Sequence, residues 1–416
     1  RKYRRRRHVL WLPLIAGLAP RPQFRRRDAL SAAAAAATAT TFSPAGRSPF
    51  VQAASAATAA DAFAASATLS PTVALATSAV AAFTGEAAEA ERRSPRVGIG
   101  AWAWGDSLFW KYDPANDEEL REVFDFAVDQ GVQFFDTAEV YGLGRSEELI
   151  GKFARQNPKA DSIEVATKFA ALPWRTKPSD VVEAAKRSTE RLGRPIDLYQ
   201  IHFPNAWCNA QYWDGLADCV DRGLVKKVGV SNYGVDAMRA ASTRLQERGT
   251  RLASNQIQLS LLYPFALENG LVDACRELDA EVLAYSPLGL GMLTGKFSET
   301  YLPEGPRKGI AQQYVADPAF KVLIATMREV ATEVGGPTDP AQIALAWCMA
   351  KGASVIPGAR NIRQVGSNIR PRTFKLSAAQ VARLDDAAAR VPKAVMPEAN
   401  PFPKKDVFTG LAMYDS

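Results

Sequence analysis

Residues 117–136 read DEELREVFDFAVDQGVQFFD, a stretch that contains one complete helix-to-strand unit. Three acids stand where the first turn of a helix would lie, and Gly131 stands where that helix would end. The run VQFFD that follows is apolar, as a strand buried on both faces should be. Apolar residues recur at helical spacing between these points: Leu120, Val123, Phe124, Ala127 and Val128.

The same pattern of helix, glycine and apolar run recurs along the chain and predicts eight strands. They lie near residues 97–101, 132–136, 163–168, 197–202, 225–231, 254–258, 281–285 and 353–357. Eight such units in about 320 residues fit an α/β fold of the (β/α)8 TIM-barrel type better than an open doubly wound sheet. A dinucleotide fold of the latter kind would need GxGxxG after a strand, and neither GIGAW nor GLGLGM supplies it.

The chain divides into two parts with different charge. Residues 1–93 carry 13 Lys and Arg against 5 Asp and Glu, a net charge of +8, and the remainder carries −1 of the total +7. The basic charge therefore gives no support for nucleic-acid binding by the folded part. No run of 18 apolar residues predicts a membrane-spanning helix. We interpret residues 1–93 as a disordered leader and residues 94–416 as the barrel domain.

The leader is rich in Ala, Ser, Thr and Arg and poor in acids, which is typical of an organellar transit peptide. A low-complexity tail that carries no address is the alternative. Arg26 and Arg27 precede the alanine tract 32–37, and this arrangement resembles the twin-arginine signals of thylakoid-lumen proteins.

Polar side chains stand at the carboxyl ends of six predicted strands: Asp136, Lys168, His202, Asn232, Gln256, and Tyr285 with Ser286. In a TIM barrel these ends converge on one mouth, where catalytic groups lie. An Asp that ends a strand is often only a cap or turn former. A buried Lys168, however, requires a partner, and Asp136 is the candidate. His202 is the single histidine outside the leader, which carries His8.

This set of residues suits the reduction of a carbonyl group. Negative charge develops on the carbonyl oxygen when a hydride arrives, so the reaction needs a proton donor and hydrogen bonds. Tyr141 can donate the proton, and we expect the Lys168 ammonium, held by Asp136, to lower the phenol pKa from about 10. His202 can orient the carbonyl. No cluster with metal-ligand spacing is present, so no metal site is predicted.

The remaining polar residues of the mouth suit a nicotinamide cofactor. Ser231, Asn232 and Gln256 can bond a carboxamide, and Tyr285 can stack on a flat ring. Residues 288–318 show no clear helical or strand pattern, which indicates a belt over an extended cofactor. Three cations could contact its phosphates: Lys296, Arg307 and Arg360. The alternative for each is a solvated surface charge.

The motifs FFDTAEVYG, VATKF, DLYQIH, VGVSNY, NQIQLSLL, YSPLGLGMLTGK and IPGARN resemble the aldo-keto reductases from about residue 95 to about 390. The resemblance implies a (β/α)8 barrel, NADPH as cofactor, and a catalytic tetrad of Asp136, Tyr141, Lys168 and His202. GIGAWAWGDSLFW and LPEGPR resemble a narrower branch, the plastid aldo-keto reductases of plants and algae, which includes pyridoxal reductases.

The resemblance also assigns cofactor contacts. It implies nicotinamide contacts at Ser231, Asn232, Gln256 and Tyr285, a pyrophosphate belt at Ser286, Leu288, Gly289 and Lys296, and an adenosine site at Gly358, Arg360, Gln364 and Asn368. There Arg360 would favour a 2′-phosphate and hence NADPH over NADH. The sequence departs from the family at Ala101, where Thr or Ser is usual, and at Ser367, where Glu is usual.

The sequence therefore predicts an NADPH-dependent reductase of a small aldehyde or ketone. Four tryptophans could line its substrate pocket, with structural packing an equal alternative for each: Trp104, Trp174, Trp207 and Trp213. An NADPH-binding regulatory module is the alternative function. Potassium-channel β subunits of that kind typically carry Asn in place of the histidine, so His202 favours an enzyme. The leader predicts a chloroplast protein in the stroma or on a plastoglobule or thylakoid lipid surface; the lumen is less favoured, because NADPH is made on the stromal side.

Overall fold

The structure, a computed structural model, describes residues 94–205, 207–393, 405 and 412–413. The predicted leader, residues 1–93, lies outside the described residues, as does the proposed signal around Arg26 and Arg27.

The core is one sheet of eight parallel strands that follow each other in chain order. Gly98 N bonds Val355 O at 2.9 Å and Gly100 N bonds Pro357 O at 3.0 Å, so the first strand also pairs with the last. The predicted barrel is confirmed, and with it the eight predicted strands. Their bounds are β1 Ile99–Gly100, β2 Phe134–Asp136, β3 Glu164–Phe169, β4 Ile196–Ile201, β5 Val225–Ser231, β6 Leu252–Gln258, β7 Glu281–Tyr285 and β8 Ser354–Val355.

Helices surround the sheet. They are α1 Asp117–Asp129, α2 Arg145–Gln156, α3 Pro178–Leu192, α4 Asn209–Asp221, α5 Val235–Glu247, α6 Phe265–Glu268, α7 Leu271–Glu277, α8 Arg307–Ala316, α9 Pro318–Val334, α10 Pro340–Ala350, α11 Ile362–Ile369 and α12 Ala378–Ala389. Over the described ranges, no helix is both long and apolar enough to span a membrane.

The helix-to-strand unit at 117–136 forms as its sequence predicts. All five apolar residues predicted on one face of α1 are buried, and the three acids occupy its first turn. Gly131 takes a φ of 74°, the left-handed conformation that lets the chain turn back toward β2. Burial of that face is what holds α1 on the sheet, since the hydrophobic effect contributes roughly 1.5–3 kcal/mol for each large apolar side chain.

The prediction that residues 288–318 lack regular structure is wrong in part. Gly289–Thr294 forms a short 3-10 helix, and Arg307–Ala316 forms the helix α8. The α8 pattern is hard to detect in the sequence because Gly309 interrupts it and its buried residues are few: Ala311, Tyr314 and Val315.

Side chains fill the barrel below its mouth. A cluster of Phe134, Ala166, Leu198, Leu283 and Ile356 packs in the interior. Along each strand the interior positions alternate with the outer ones, so the next interior residue after Phe134 is Asp136, and the next after Ala166 is Lys168. The polar groups therefore lie in a layer directly above a filled apolar layer, at the carboxyl ends of the strands.

Candidate active site

An ion pair is buried at the ends of β2 and β3. Lys168 Nζ donates to Asp136 Oδ1 at 2.6 Å and to the Thr137 carbonyl oxygen at 2.7 Å. The side chains of Lys168 and Asp136 are 0% and 3% exposed. Burial lowers the pKa of Lys168 and raises that of Asp136, and the charge of each partner opposes the effect on the other. The structure thus pairs Lys168 with Asp136, as predicted from the free-energy cost of burying an unpaired ammonium group.

Tyr141 enters the site from the turn that follows β2. The residues Tyr141–Gly144 form a tight turn, in which Gly142 has a φ of 57° and a side chain there would clash with the backbone of Gly105. This close approach fixes the turn and points Tyr141 into the mouth. Lys168 Nζ lies 5.1 Å from the centre of the Tyr141 ring.

The expectation that Lys168 lowers the pKa of Tyr141 is wrong. Burial raises the phenol pKa well above its usual range, and the Asp136 carboxylate raises it further. The Lys168 ammonium is paired with Asp136, so its favourable charge at the phenol is smaller than the cost of burial. Tyr141 therefore remains a protonated phenol at neutral pH, which is the form that can donate a proton.

His202 follows β4 and faces the same cavity. Its ring meets the Tyr141 ring edge-on, with the centroids 5.7 Å apart, and stacks on Phe203 at 4.4 Å. Burial lowers the His202 pKa well below 6.5, and the Lys168 charge lowers it further. The imidazole is therefore neutral at neutral pH and can donate one N–H hydrogen bond to a substrate oxygen.

The residues predicted to hold a carboxamide are bonded to one another. Tyr285 OH donates to Asn232 Oδ1 at 2.7 Å, and Asn232 Nδ2 donates to Ser231 Oγ at 3.0 Å and to the His202 carbonyl at 3.1 Å. Ser231 Oγ donates to the Gln256 carbonyl at 2.8 Å, and Gln256 Nε2 donates to Asp136 Oδ2 at 2.7 Å. One network therefore joins the predicted carboxamide site to the ion pair.

Two residues near this network have strained backbones. Asn232 has a φ of 62° and Ser286 a φ of 51°, a left-handed conformation that is uncommon outside glycine. Both face the cavity at the ends of β5 and β7. Strain of this kind persists where the surrounding contacts impose it, and it clusters at binding sites.

Cations gather at the other end of the cavity: Lys296, Arg307, Arg360 and Arg363. Burial lowers the Lys296 pKa, and the three arginines lower it further. The Trp110 ring lies close to two of them, with its centre 4.7 Å from Arg307 Cζ and 5.9 Å from Arg360 Cζ. In the described ranges these four cations take part in no ion pair, and their mutual repulsion would be relieved by an anion. The donor set therefore fits the phosphates of a dinucleotide such as NADPH.

One cavity of about 440 Å³ joins these two ends. Every residue predicted for the site lines it except Lys168 and Gly289: Asp136, Tyr141, His202, Ser231, Asn232, Gln256, Tyr285, Ser286, Leu288, Lys296, Arg307, Gly358, Arg360, Gln364 and Asn368. Lys168 lies behind the wall, where it supports Asp136. A Cβ on Gly289 would lie 2.9 Å from Leu262, so Gly289 faces the protein interior instead.

The four tryptophans proposed for the substrate pocket do not line this cavity. Trp104 is buried in the core and donates to the Ala359 carbonyl at 2.8 Å, and Trp213 is buried beside Tyr233. Trp174 and Trp207 are 46% and 37% exposed. Structural packing, the alternative for each, applies to Trp104 and Trp213.

Other wall residues were missed by sequence reasoning, including Trp102, Trp110, Asp339 and Arg363. Trp102 and Trp110 lie in the loop after β1, within the stretch GIGAWAWGDSLFW, whose family resemblance predicts no role for either residue. Arg363 follows Arg360 by three residues, and this spacing of two basic residues could have indicated that Arg363 also faces the cavity. Asp339 caps α10, and from the sequence this structural role alone would explain the residue, although it also lines the cavity.

The two departures from the family pattern lie in different surroundings. Ala101 is fully buried, and its carbonyl accepts from Ser146 Oγ at 3.0 Å. Ser367 lines the cavity, and its Oγ donates to Asp339 Oδ2 at 3.3 Å. Within the residues that the structure describes, no group of His, Cys, Asp and Glu could hold a metal ion.

An eight-stranded barrel whose mouth joins a buried acid–base set to a cation cluster fits a nicotinamide-dependent oxidoreductase. The chain belongs to the aldo-keto reductase family, because the model of the "Aldo/keto reductase family" matches residues 96–389. Membership confirms the predicted class of enzyme and its NADP(H) cofactor; the roles of individual residues remain predictions.

Similar proteins include enzymes from plants, yeast and bacteria. The chloroplastic pyridoxal reductase of Arabidopsis thaliana is 38% identical over 317 residues, which cover 72% of this chain and 85% of the relative. The NADP(+) aldo-keto reductase yakc of Schizosaccharomyces pombe is 29% identical, with 70% and 88% of the two chains covered. The solved glycerol dehydrogenase of Gluconobacter oxydans superposes with a TM-score of 0.61 at 25% identity, with 74% and 94% covered.

Proposed function

We propose that this protein uses NADPH to reduce an aldehyde or ketone to the alcohol, with Tyr141 as the proton donor. The carrying observation is the position of Tyr141, a buried, protonated phenol on the cavity wall with Lys168 against its ring and His202 at its edge.

Each member of the tetrad has a role that follows from its surroundings. Tyr141 donates its proton to the carbonyl oxygen as negative charge develops there. The neutral His202 donates a hydrogen bond to the same oxygen and orients it. Lys168, held by Asp136, stabilises the phenolate left on Tyr141 until it regains a proton from solvent.

Bound NADPH would supply the hydride. Gln256, Ser231 and Asn232 would hold its carboxamide, with Tyr285 against the nicotinamide ring. Lys296 and Arg307 would meet the pyrophosphate. Gly358, Arg360, Gln364 and Asn368 would hold the adenosine end, where Gln364 Oε1 already accepts from the Arg360 backbone N–H at 2.7 Å.

Replacing Tyr141 with Phe tests the proposal. We expect kcat to fall at least about 100-fold, since a general acid contributes about 10²–10⁴-fold. The NADPH dissociation constant should stay near the wild-type value, because the phenyl ring remains. Tyr301, which is 62% exposed, provides the matched control Tyr301→Phe, which should be fully active. Wild-type turnover in Tyr141→Phe would refute the assignment.

A regulatory module that binds NADPH without turnover is the competing function. It would be supported if the purified protein bound NADPH tightly and reduced no compound in a broad panel of carbonyls. His202 beside Tyr141 favours the enzyme, because the regulatory barrels that resemble this family typically carry Asn at that place.

The substrate and the compartment are further proposals. A relative named a chloroplastic pyridoxal reductase makes pyridoxal the first aldehyde to test, and it supports a plastid location. We place the protein in the stroma or on a plastoglobule or thylakoid lipid surface. A steady-state screen of carbonyls with NADPH and NADH tests the substrate, and plastid fractionation with a tagged chain tests the location.

A further inference from the structure

The first turn of α2 contacts both strands that carry the ion pair. Lys168 points into the barrel, so its neighbour Thr167 points outward toward α2. Thr167 Oγ1 donates to Glu147 Oε1 at 2.5 Å. On the adjacent strand, Thr137 follows Asp136, and its Oγ1 donates to Ser146 Oγ at 2.7 Å. Two consecutive residues of α2 thus hold the two residues next to the ion pair.

All of these side chains are buried. Ser146, Glu147, Thr137 and Thr167 are each 0% exposed. A buried carboxylate is costly, and Glu147 is stabilised by Arg191 of α3, whose Nε donates to Oε2 at 2.6 Å. A fold that required only a packed helix could place an apolar residue at position 147 without this cost. The arrangement therefore points to a use for the charge and for its hydrogen bond.

The helix α2 is itself closely fixed to its surroundings. It begins directly after the turn that carries Tyr141. A side chain at Gly151 would clash with the carbonyl oxygens of Arg191 and Leu192, so α2 and α3 can lie close enough for Arg191 to reach Glu147. The first turn of α2 therefore connects Tyr141 on one side with the strands of Asp136 and Lys168 on the other.

We propose that Glu147, assisted by Ser146, is a positioning residue that holds the Asp136–Lys168 pair in place beneath Tyr141. Neither residue lines the cavity, so neither touches substrate or cofactor. The inference rests on the proposed reductase function and adds a set of supporting residues to it.

Glu147 also completes a balanced set of charges. Two carboxylates, Asp136 and Glu147, lie with two cations, Lys168 and Arg191, around the ends of β2 and β3. The charge of Glu147 raises the Lys168 pKa and so favours the ammonium form. The titratable groups that face Lys168 from the surrounding elements are Asp136 of β2, Tyr141 of the following turn, Glu147 of α2 and His202 after β4.

The substitution Glu147→Gln removes the charge and keeps the shape. We expect kcat to fall about tenfold, because small displacements of a catalytic group carry losses of this order or more. The KM for the carbonyl and the NADPH dissociation constant should stay within about twofold, since Glu147 is off the cavity wall. With less negative charge nearby, the limb of the pH profile of kcat that reports Lys168 should move to lower pH.

A second substitution separates geometry from charge. Thr167→Val removes the hydroxyl that bonds Glu147 and leaves the Glu147–Arg191 pair in place. It should lower kcat without moving the pH profile. The matched control is Glu148→Gln, the same change at the next residue, which lies on the exposed face of α2. It should leave kcat and the pH profile unchanged. If Glu147→Gln does not fold, Thr167→Val and Ser146→Ala decide the question.

Folded Glu147→Gln and Thr167→Val proteins with wild-type kcat and an unmoved pH profile would overturn the proposal, even if their melting temperatures fell. A separate readout covers the case in which the wild-type protein shows no turnover and the proposed function fails. The ¹⁵Nζ shift of Lys168, assigned with Lys168→Met, reports its titration directly. A lower Lys168 pKa in Glu147→Gln than in the wild type supports the positioning role, and an unchanged Lys168 pKa overturns it.

Discussion

Gln256 of β6 donates its side-chain amide to Asp136 of β2 at 2.7 Å across the mouth of the barrel. Asp136 Oδ1 is bonded by Lys168, so Gln256 serves the other oxygen of the carboxylate. The residue predicted from the family to hold a carboxamide thus also supports the ion pair, and its nitrogen is already committed within the protein.

This relationship predicts a stability effect for Gln256→Met. The change keeps the volume but removes a hydrogen-bond donor from a buried carboxylate oxygen, a loss of about 1–3 kcal/mol. Urea unfolding at neutral pH measures the loss, and NADPH titration measures any loss of the carboxamide contact. Gln258→Met, two residues along the same strand and also on the cavity wall, is the control and should lose less stability. Equal losses in the two variants would contradict the role of the Asp136 contact.

The ion pair itself predicts non-additive losses. Lys168→Met or Asp136→Leu alone leaves one buried charge without its partner, a loss of about 3–5 kcal/mol. The double variant removes both charges and should recover much of that stability, whereas all three variants should lack activity. Unfolding free energies of the four proteins give the coupling. Additive losses would show that the two charges do not stabilise each other in the fold.

The fold was predictable because its signal is repeated. Apolar faces such as that of α1 and apolar runs such as VQFFD indicate burial directly. Eight such runs form the eight strands of the barrel. The helix α8 was missed because Gly309 breaks its pattern and few of its residues are buried. Local sequence is a weak guide where tertiary contacts, rather than an amphipathic face, hold a helix.

The site was predictable only in part. Lys168 was predicted because a buried ammonium needs a partner, and Asp136 was predicted as that partner. His202 was predicted because it is the single histidine outside the leader. The role of Tyr141 rested on family resemblance, and the expected direction of its pKa shift was wrong, because the depth of burial is not visible in a sequence. Glu147 was missed for the same reason, since its neighbour Glu148 is exposed and the two carboxylates look alike in the chain.

The depressed pKa of His202 predicts a loss of stability in acid. Burial holds the folded imidazole neutral well below pH 6.5, whereas the unfolded chain takes up a proton near pH 6.5. The unfolded state then binds more protons, so stability falls as pH drops below about 6.5. Comparing unfolding free energies at pH 7.5 and 5.5 tests this, with His202→Gln as the reference. The wild type should lose more than the variant; equal losses would mean that His202 titrates normally in the fold.

The cation cluster predicts that Arg360 discriminates between the two nicotinamide cofactors. If Arg360 meets the 2′-phosphate, Arg360→Leu removes charge-assisted hydrogen bonds worth about 1.5–3 kcal/mol, so the NADPH dissociation constant should rise about 10–100-fold. NADH lacks that phosphate, and its binding should change less than about twofold. Fluorescence titration with both cofactors measures the two constants. Arg307→Leu is the comparison: a pyrophosphate contact is common to both cofactors, so their binding should weaken alike. If Arg360→Leu also weakened NADPH and NADH equally, Arg360 would belong with Arg307 at the pyrophosphate, and the preference for NADPH would have to arise elsewhere in the cluster.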